Sequence, residues 1–345
     1  MRRRLAAISM NHTLGLQKGN DQYNHGAVDE EIEGLIRVYK DGHVQRPTIV
    51  PNVTCKVPFE MNMACNDVII DSFTSVWARI YVPKSRGQLP LLLYFHGGGF
   101  CVGSASWSCY HEFLAKLASI TGCVIVSMNY RLASENRLPA AYDDGFKALM
   151  WVKQQALNIG ATSQVWWCSR CNFSSVFLAG DSAGANLAHN IAARVGCSSN
   201  ILNPLFLKGS ILIQPFFGGE ERTYSERYMV QPPNSALSVT TSDVYWRLSL
   251  PIGANRDHPC CNPLAKGATR FEDMKLPRTM VCISEMDILK DRNLEFCNAL
   301  SRSGNKVEHH MYMGVGHAFQ ILHNSKQSQP KTIEMMSHIK AFINK

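Results

Sequence analysis

Gly180-Asp181-Ser182-Ala183-Gly184 is the stretch of this chain best suited to covalent chemistry. The apolar run Val176-Phe177-Leu178-Ala179 precedes it, and residues rich in Ala, Asn and Leu follow. The serine therefore falls on a strand-to-helix turn, where it can be held exposed for attack on an acyl carbonyl. Small flanking residues let such a turn tighten, and the helix N-terminus aims partial positive charge at a developing oxyanion. The five-residue pattern is common by chance; the strand before it and the helix after it give it weight here.

A second group, His96-Gly97-Gly98-Gly99-Phe100, directly follows the apolar run 91–95. Three consecutive glycines suit neither helix nor strand, so they serve close backbone approach or unusual φ/ψ. The N–H groups of Gly98 and Gly99, with that of Ala183, are the candidate oxyanion hole. Losing one such donor typically costs roughly 2.7–4 kcal/mol of transition-state stabilisation.

The serine needs a base. Among twelve histidines, His317 stands in the small-residue loop Gly314-Val315-Gly316-His317-Ala318-Phe319, after the last candidate strand. That position completes the chain order serine, acid, histidine. His309 and His310 lie within the strand itself, while His96 and His189 read as structural, hydrogen-bonded residues. The acid belongs in Glu285-Met286-Asp287-Ile288-Leu289-Lys290-Asp291, after the strand 279–284. Position favours Asp287, because the acid must reach the imidazole Nδ1–H from the strand end; Glu285 is a competitor.

Elements that could position these groups alternate from residue 91 onward. Short apolar runs at 91–95, 123–128, 176–179, 210–213, 279–284 and 307–312 predict strands. Amphipathic stretches at 110–119, 141–155, 183–195, 289–301 and 332–343 predict helices between them. Such alternation is the pattern of an α/β fold with a mostly parallel sheet, opened here by a hairpin over 67–70 and 76–82. Residues 1–345 read as one domain with two departures. Residues 1–48 form a polar, lid-like segment with a short helix expected at 29–38. Residues 216–256, with Pro232-Pro233 and an amphipathic stretch at 241–250, form a cap insertion over the carboxyl edge of the sheet.

Composition narrows the function classes. A hydrophobic fraction of 46% and a charged fraction of 18% describe a globular chain with ample core. The net charge of +8 is spread out, apart from Arg2, Arg3 and Arg4, so nucleic acid is a poor partner. No apolar run is long enough to span a membrane. The twelve cysteines mostly sit in apolar runs, which points to buried free thiols in a reducing compartment. Cys168 and Cys171 form a CxxC, but no second ligand pair follows, so no metal is expected. The basic leader is too short in its apolar part for a signal peptide, so the cytoplasm is the expected location.

Together these residues resemble the plant carboxylesterase family, within the hormone-sensitive-lipase-like group of α/β-hydrolases. The resemblance runs from about Asp29 to Phe342. It rests on Gly34-Leu35-Ile36-Arg37-Val38-Tyr39-Lys40-Asp41-Gly42, the glycine loop, Asn129-Tyr130-Arg131-Leu132-Ala133, Leu138-Pro139-Ala140-Ala141-Tyr142-Asp143-Asp144 and the serine turn. His258-Pro259, Asn262-Pro263, Leu276-Pro277, Asp287 and His317 continue it. It implies an α/β-hydrolase fold, an ester substrate, no cofactor, Asp287 rather than Glu285 as the acid, and an N-terminal segment covering the pocket. It also implies that Asp243, Tyr245 and Trp246 line or border that pocket, for which the residues themselves equally suggest an amphipathic cap helix. Phe100, beside the glycine loop, is expected as an acyl-pocket wall. Ser134-Glu135-Asn136 stands where the family usually has Pro-Glu-His, and the Cys168–Cys171 stretch is unusual and expected in a surface loop. The family includes gibberellin receptors, which replace the catalytic histidine with a small apolar residue, and 2-hydroxyisoflavanone dehydratases, which share the triad. The intact His317 argues for a hydrolase over a receptor.

Overall fold

The computed structural model describes residues 25–160, 164–197, 201–231 and 235–345. The basic leader and the first half of the N-terminal segment, residues 1–24, lie outside the described residues. The chain opens with three short strands, β1 (Val28–Ile32), β2 (Ile36–Tyr39) and β3 (Val44–Gln45), paired antiparallel in that order. The helix expected at 29–38 is therefore absent. Gly34 turns the chain at φ +73; Ile36 and Val38 bury at a spacing of two, the period of a strand, and Ile32 pairs with Ile36 across the turn.

The main sheet starts with β4 (Met63–Asp71), β5 (Val76–Pro83) and β6 (Leu89–Phe95). Then come α1 (Ser108–Thr121), β7 (Val124–Asn129), α2 (Ala140–Leu157), α3 (Val165–Cys168), β8 (Cys171–Asp181) and α4 (Ala183–Gly196). After β9 (Leu207–Ile213) the chain leaves the sheet for α5 (Tyr224–Tyr228) and α6 (Val239–Ser249). It returns as β10 (Arg278–Ser284), α7 (Lys290–Arg302) and β11 (Val307–Tyr312), and ends in α8 (Phe319–Leu322) and α9 (Ser328–Asn344). The eight strands lie in the order β11-β10-β9-β8-β6-β7-β5-β4. All neighbours from β11 to β7 run parallel, and only the pairings β7–β5 and β5–β4 are antiparallel.

Strand β6 shows why this sequence makes a sheet covered on both faces. Leu91, Leu93 and Phe95 point to the side of α2, α4 and α7, while Leu92 and Tyr94 point to the side of α1 and α9. Successive side chains leave opposite faces, so an unbroken apolar run feeds two cores at once. Gly184 brings the first turn of α4 against β6; a Cβ there would lie 2.0 Å from the Phe95 carbonyl oxygen. The Asn129–Ala133 stretch is structural: Arg131 makes a two-pronged ion pair to the fully buried Asp144 at 2.7 Å. Cys168 and Cys171 are not in a surface loop. They end α3 and open β8, both buried, with Trp167 stacked on Trp151 beside them.

Candidate active site

Four loops at the carboxyl edge of the parallel strands converge. Ser182 follows β8 at φ 53, ψ −119, a left-handed conformation that a serine adopts only where its surroundings impose it. Two backbone bonds impose it: its N–H donates to Ile213 O at 2.8 Å, and its carbonyl accepts from Phe216 N–H at 3.0 Å. Asp287 follows β10 and His317 follows β11. Ser182 Oγ–H donates to His317 Nε2 at 2.9 Å, and His317 Nδ1–H donates to Asp287 Oδ2 at 2.7 Å. All three side chains are nearly fully buried, which strengthens each bond by excluding water.

Glu285 takes another task. Its carboxylate accepts from Gly314 N–H at 2.8 Å, holding the start of the loop that carries His317 without touching the imidazole. Asp291 accepts from Ser225 N–H. The other Asp287 oxygen, Oδ1, accepts from Leu289 N–H at 3.0 Å, which fixes its carboxylate as a turn residue at the head of α7.

The glycine loop is sterically exact in its demands. Gly98 sits at φ +108 and a Cβ there would meet Val102 O at 2.2 Å; one on Gly99, at φ +58, would enter the Tyr245 ring at 2.2 Å. Among the described residues the amides of Gly98, Gly99 and Ala183 have no acceptor, so three donors are free at the mouth of α4. Asp181 ties this loop to the serine turn. Its buried carboxylate accepts from Tyr94 OH at 2.8 Å, Tyr110 OH at 2.9 Å and Gly97 N–H at 3.1 Å. Burial raises the Asp181 carboxyl to about 6, against the opposing pull of the two tyrosine hydroxyls.

A cavity of about 130 Å³ opens over Ser182 and His317. Its walls are apolar: Leu35 from the N-terminal segment and Val50 just after it, Leu237 and Tyr245 from the insertion, and Ile321 and Leu322 from α8. Of the pocket residues expected from the sequence, Tyr245 alone reaches it. Asp243 faces away, paired with Arg222 at 2.5 Å and with Arg256. Two residues apart on a helix of 3.6 per turn point nearly opposite ways, so Asp243 and Tyr245 cannot share the cavity. Trp246 is buried beneath the cap, stacked on Phe216 with centroids 4.4 Å apart. Phe100 packs between Tyr142 and Trp246 and lines no part of the cavity, because its positive φ turns the side chain into the core. A larger open groove of about 670 Å³, beside Phe206 and Lys275, touches none of the residues above.

Three contributions escaped the sequence reading. Gln214, at φ 47 and buried, accepts from Ala318 N–H at 2.7 Å and donates to Ser284 Oγ at 2.7 Å, fixing the residue after His317. Asp181 occupied the variable position of the serine motif, and its two tyrosine partners are distant in sequence. The cavity walls at Leu35, Ile49 and Val50 carry no motif. Nor are both structural histidines hydrogen-bonded as expected. His96 Nδ1–H donates to Gly97 O at 2.8 Å. His189 has no hydrogen bond among the described residues and sits edge-on to Phe217, Phe271 and Phe296. Burial lowers both rings to about 4.

A parallel sheet carrying a strained serine, its histidine and a glycine loop at one edge defines the α/β-hydrolase class. Residues 92–321 match the family model described as alpha/beta hydrolase fold, and the chain belongs to that family. It is 48% identical over 332 residues to an Arabidopsis thaliana protein named "Probable carboxylesterase 6", covering 94% of each chain. It is 33% identical to the 2-hydroxyisoflavanone dehydratase of Glycyrrhiza echinata, covering 92% of this chain and 96% of that one. It is also 33% identical to a gibberellin receptor of Arabidopsis thaliana, covering 81% and 80%. A solved Pyrobaculum calidifontis esterase superposes with a TM-score of 0.66 at 28% identity, covering 81% of this chain and 85% of that one.

Proposed function

We propose that this chain is a serine carboxylester hydrolase acting on small-molecule esters with uncharged acyl groups. The observation that carries the reading is the unbroken chain of bonds from Ser182 Oγ through His317 to Asp287, beside three unpartnered amides. His317 Nε2 takes the Ser182 proton as Oγ attacks the ester carbonyl. The N–H groups of Gly98, Gly99 and Ala183 receive the negative charge as it moves onto the carbonyl oxygen. His317, oriented by Asp287, then returns the proton to the leaving alcohol. Water repeats the sequence on the acyl-enzyme and releases the acid. No cofactor enters any of these steps.

The apolar walls set the substrate class. No Lys or Arg is among the lining residues, and the one carboxylate, Asp181, faces its tyrosines, so the cavity offers the carboxylate of a charged acyl group no lysine or arginine partner. The hairpin β1–β2 and the insertion 216–256 act together as the cover, with Leu35 and Tyr245 as its inner surface. Among the described residues no helix is long and apolar enough to cross a membrane. The cysteine pattern, with twelve thiols free, supports a reducing compartment such as the cytoplasm.

The test is hydrolysis of p-nitrophenyl acetate and butyrate by the purified protein, with Ser182→Ala as control. The reading expects turnover that the variant reduces by about 10⁶ while its circular dichroism is unchanged. Equal residual rates in both proteins would overturn it.

A further inference from the structure

A second cavity, of about 390 Å³, lies beside the first. The two share five lining residues: Leu35, Ile49, Val50, Val102 and Trp107. These side chains form a partition with one face toward each chamber. The chamber over Ser182, at about 130 Å³, is somewhat smaller than the ~150 Å³ apolar cavity that holds one benzene, so it has no room for both halves of an aromatic ester. Its neighbour is three times as large in round terms, as 390 against 130 Å³.

Which half of an ester would use the second chamber follows from the proton. The leaving oxygen must take it from His317 Nε2, so the alcohol lies on the side walled by Ala318, Ile321 and Leu322. None of those three touches the second chamber, which opens instead off the glycine loop at Val102 and Gly103. That is the acyl side. Its chemistry is aromatic and uncharged: Trp77, Trp107 and Leu132 form its walls. Arg46 is its one cation, and the guanidinium is already bound to Cys101 O and Ala133 O at 2.7 Å and to both Glu135 oxygens. Ser104 and Ser106 spend their hydroxyls on each other, on Asn129 and on Asn52.

The partition is built to yield. Arg46 pins one end of its strand of chain, and the bonds Val53 N–H to Ser106 O and Ser108 N–H to Pro51 O pin the other. Between them, residues 47–50 make no hydrogen bond among the described residues, so Ile49 and Val50 hold the partition by side-chain packing alone.

We propose that the second chamber is an acyl subsite for neutral aromatic acyl groups, entered past Ile49 and Val50. The inference rests on the esterase reading, since an acyl subsite presupposes an acyl-Ser182 intermediate. Two measurements separate the two claims. Acetate turnover tests the esterase reading alone. The subsite is read from the ratio of kcat/KM for p-nitrophenyl phenylacetate to that for the acetate. Thr48 is exposed and lines only the second chamber, so Thr48→Trp fills it from outside. The expected result is a ratio lowered about tenfold by Thr48→Trp and raised by Ile49→Ala, the range in which one pocket contact discriminates. An unchanged ratio in both variants overturns the subsite. Calorimetric titration of Ser182→Ala with ethyl phenylacetate gives the same reading without turnover. Adding Thr48→Trp should abolish the binding heat, and equal affinity with and without it overturns the proposal.

Discussion

The serine edge and the cover above it are held together by different kinds of force. At the edge, position is set by contacts that admit no adjustment. Gly184 lies against the Phe95 carbonyl and Gly98 against Val102, and Asp287, His317 and Gln214 are buried and hydrogen-bonded. The hairpin half of the cover is tied down by ion pairs that water reaches, whereas the insertion also has a buried pair, Glu226 with Arg292. Arg247 on α6 bonds Glu30 on β1 at 2.5 Å with more than half its side chain exposed, and Arg37 pairs with Glu31. Exposed pairs of this kind contribute about 0.2–1 kcal/mol each. One region is rigid because nothing fits otherwise; the other is a set of weak ties over apolar contacts. On the proposed reading, chemistry that must repeat in one geometry sits on the first, and selection among substrates on the second.

That contrast can be broken at graded strengths. The largest expected effect is Asp287→Asn, which keeps the shape but loses the carboxylate that orients His317. In serine hydrolases the equivalent change lowers kcat by about 10⁴, and steady-state kinetics on p-nitrophenyl butyrate should show a fall of that order. Retention of most activity would transfer the role to Glu285. Next is Gln214→Ala, which frees Ala318 N–H and lets the His317 loop drift. A loss of roughly 10²-fold in kcat with KM little changed is expected, because misplacement of about 1 Å has that effect.

A smaller effect concerns stability. His189 lies among three phenylalanines with its pKa held near 4, below the ordinary histidine value. The unfolded chain protonates this ring before the folded one, so its contribution is present above about pH 6.5 and lost as pH falls through 4. His96 acts with the same sign. Asp181 acts with the opposite one: its carboxyl is raised to about 6, so the stability it contributes is present below 3.8 and lost as pH rises through 6. Urea midpoints for His189→Phe should therefore fall less between about pH 7 and about pH 4.5 than those of the parent chain. Parallel curves would mean that His189 is already solvated. The smallest change belongs to the cover: Arg247→Gln should alter stability by less than about 1 kcal/mol and acetate turnover by under about twofold. A large loss would make the cover part of the rigid edge.

The Gly180–Gly184 and His96–Phe100 motifs, His317 and the alternation of β6 to α9 were legible because each rests on local chemistry. A turn too tight for Cβ atoms demands glycine, and a strand buried on both faces demands an apolar run. The hairpin β1–β2 was misread as a helix because two short strands around Gly34 leave too few residues to separate a period of two from one of 3.6. Asp243, Trp246 and Phe100 do not line the cavity, because a residue's nearness to a pocket depends on which face of α6, or which side of a positive-φ turn, meets the rest of the molecule. The chain's own letters thus determined the serine turn, the histidine loop, the glycine loop and the sheet, since those answer to neighbours in sequence. The cavity's walls, the brace of Asp181 by Tyr94 and Tyr110, and the grip of Gln214 on the His317 loop were decided only in the tertiary structure. They join residues far apart in the chain, where side-chain direction after folding, not residue type, selects the partner.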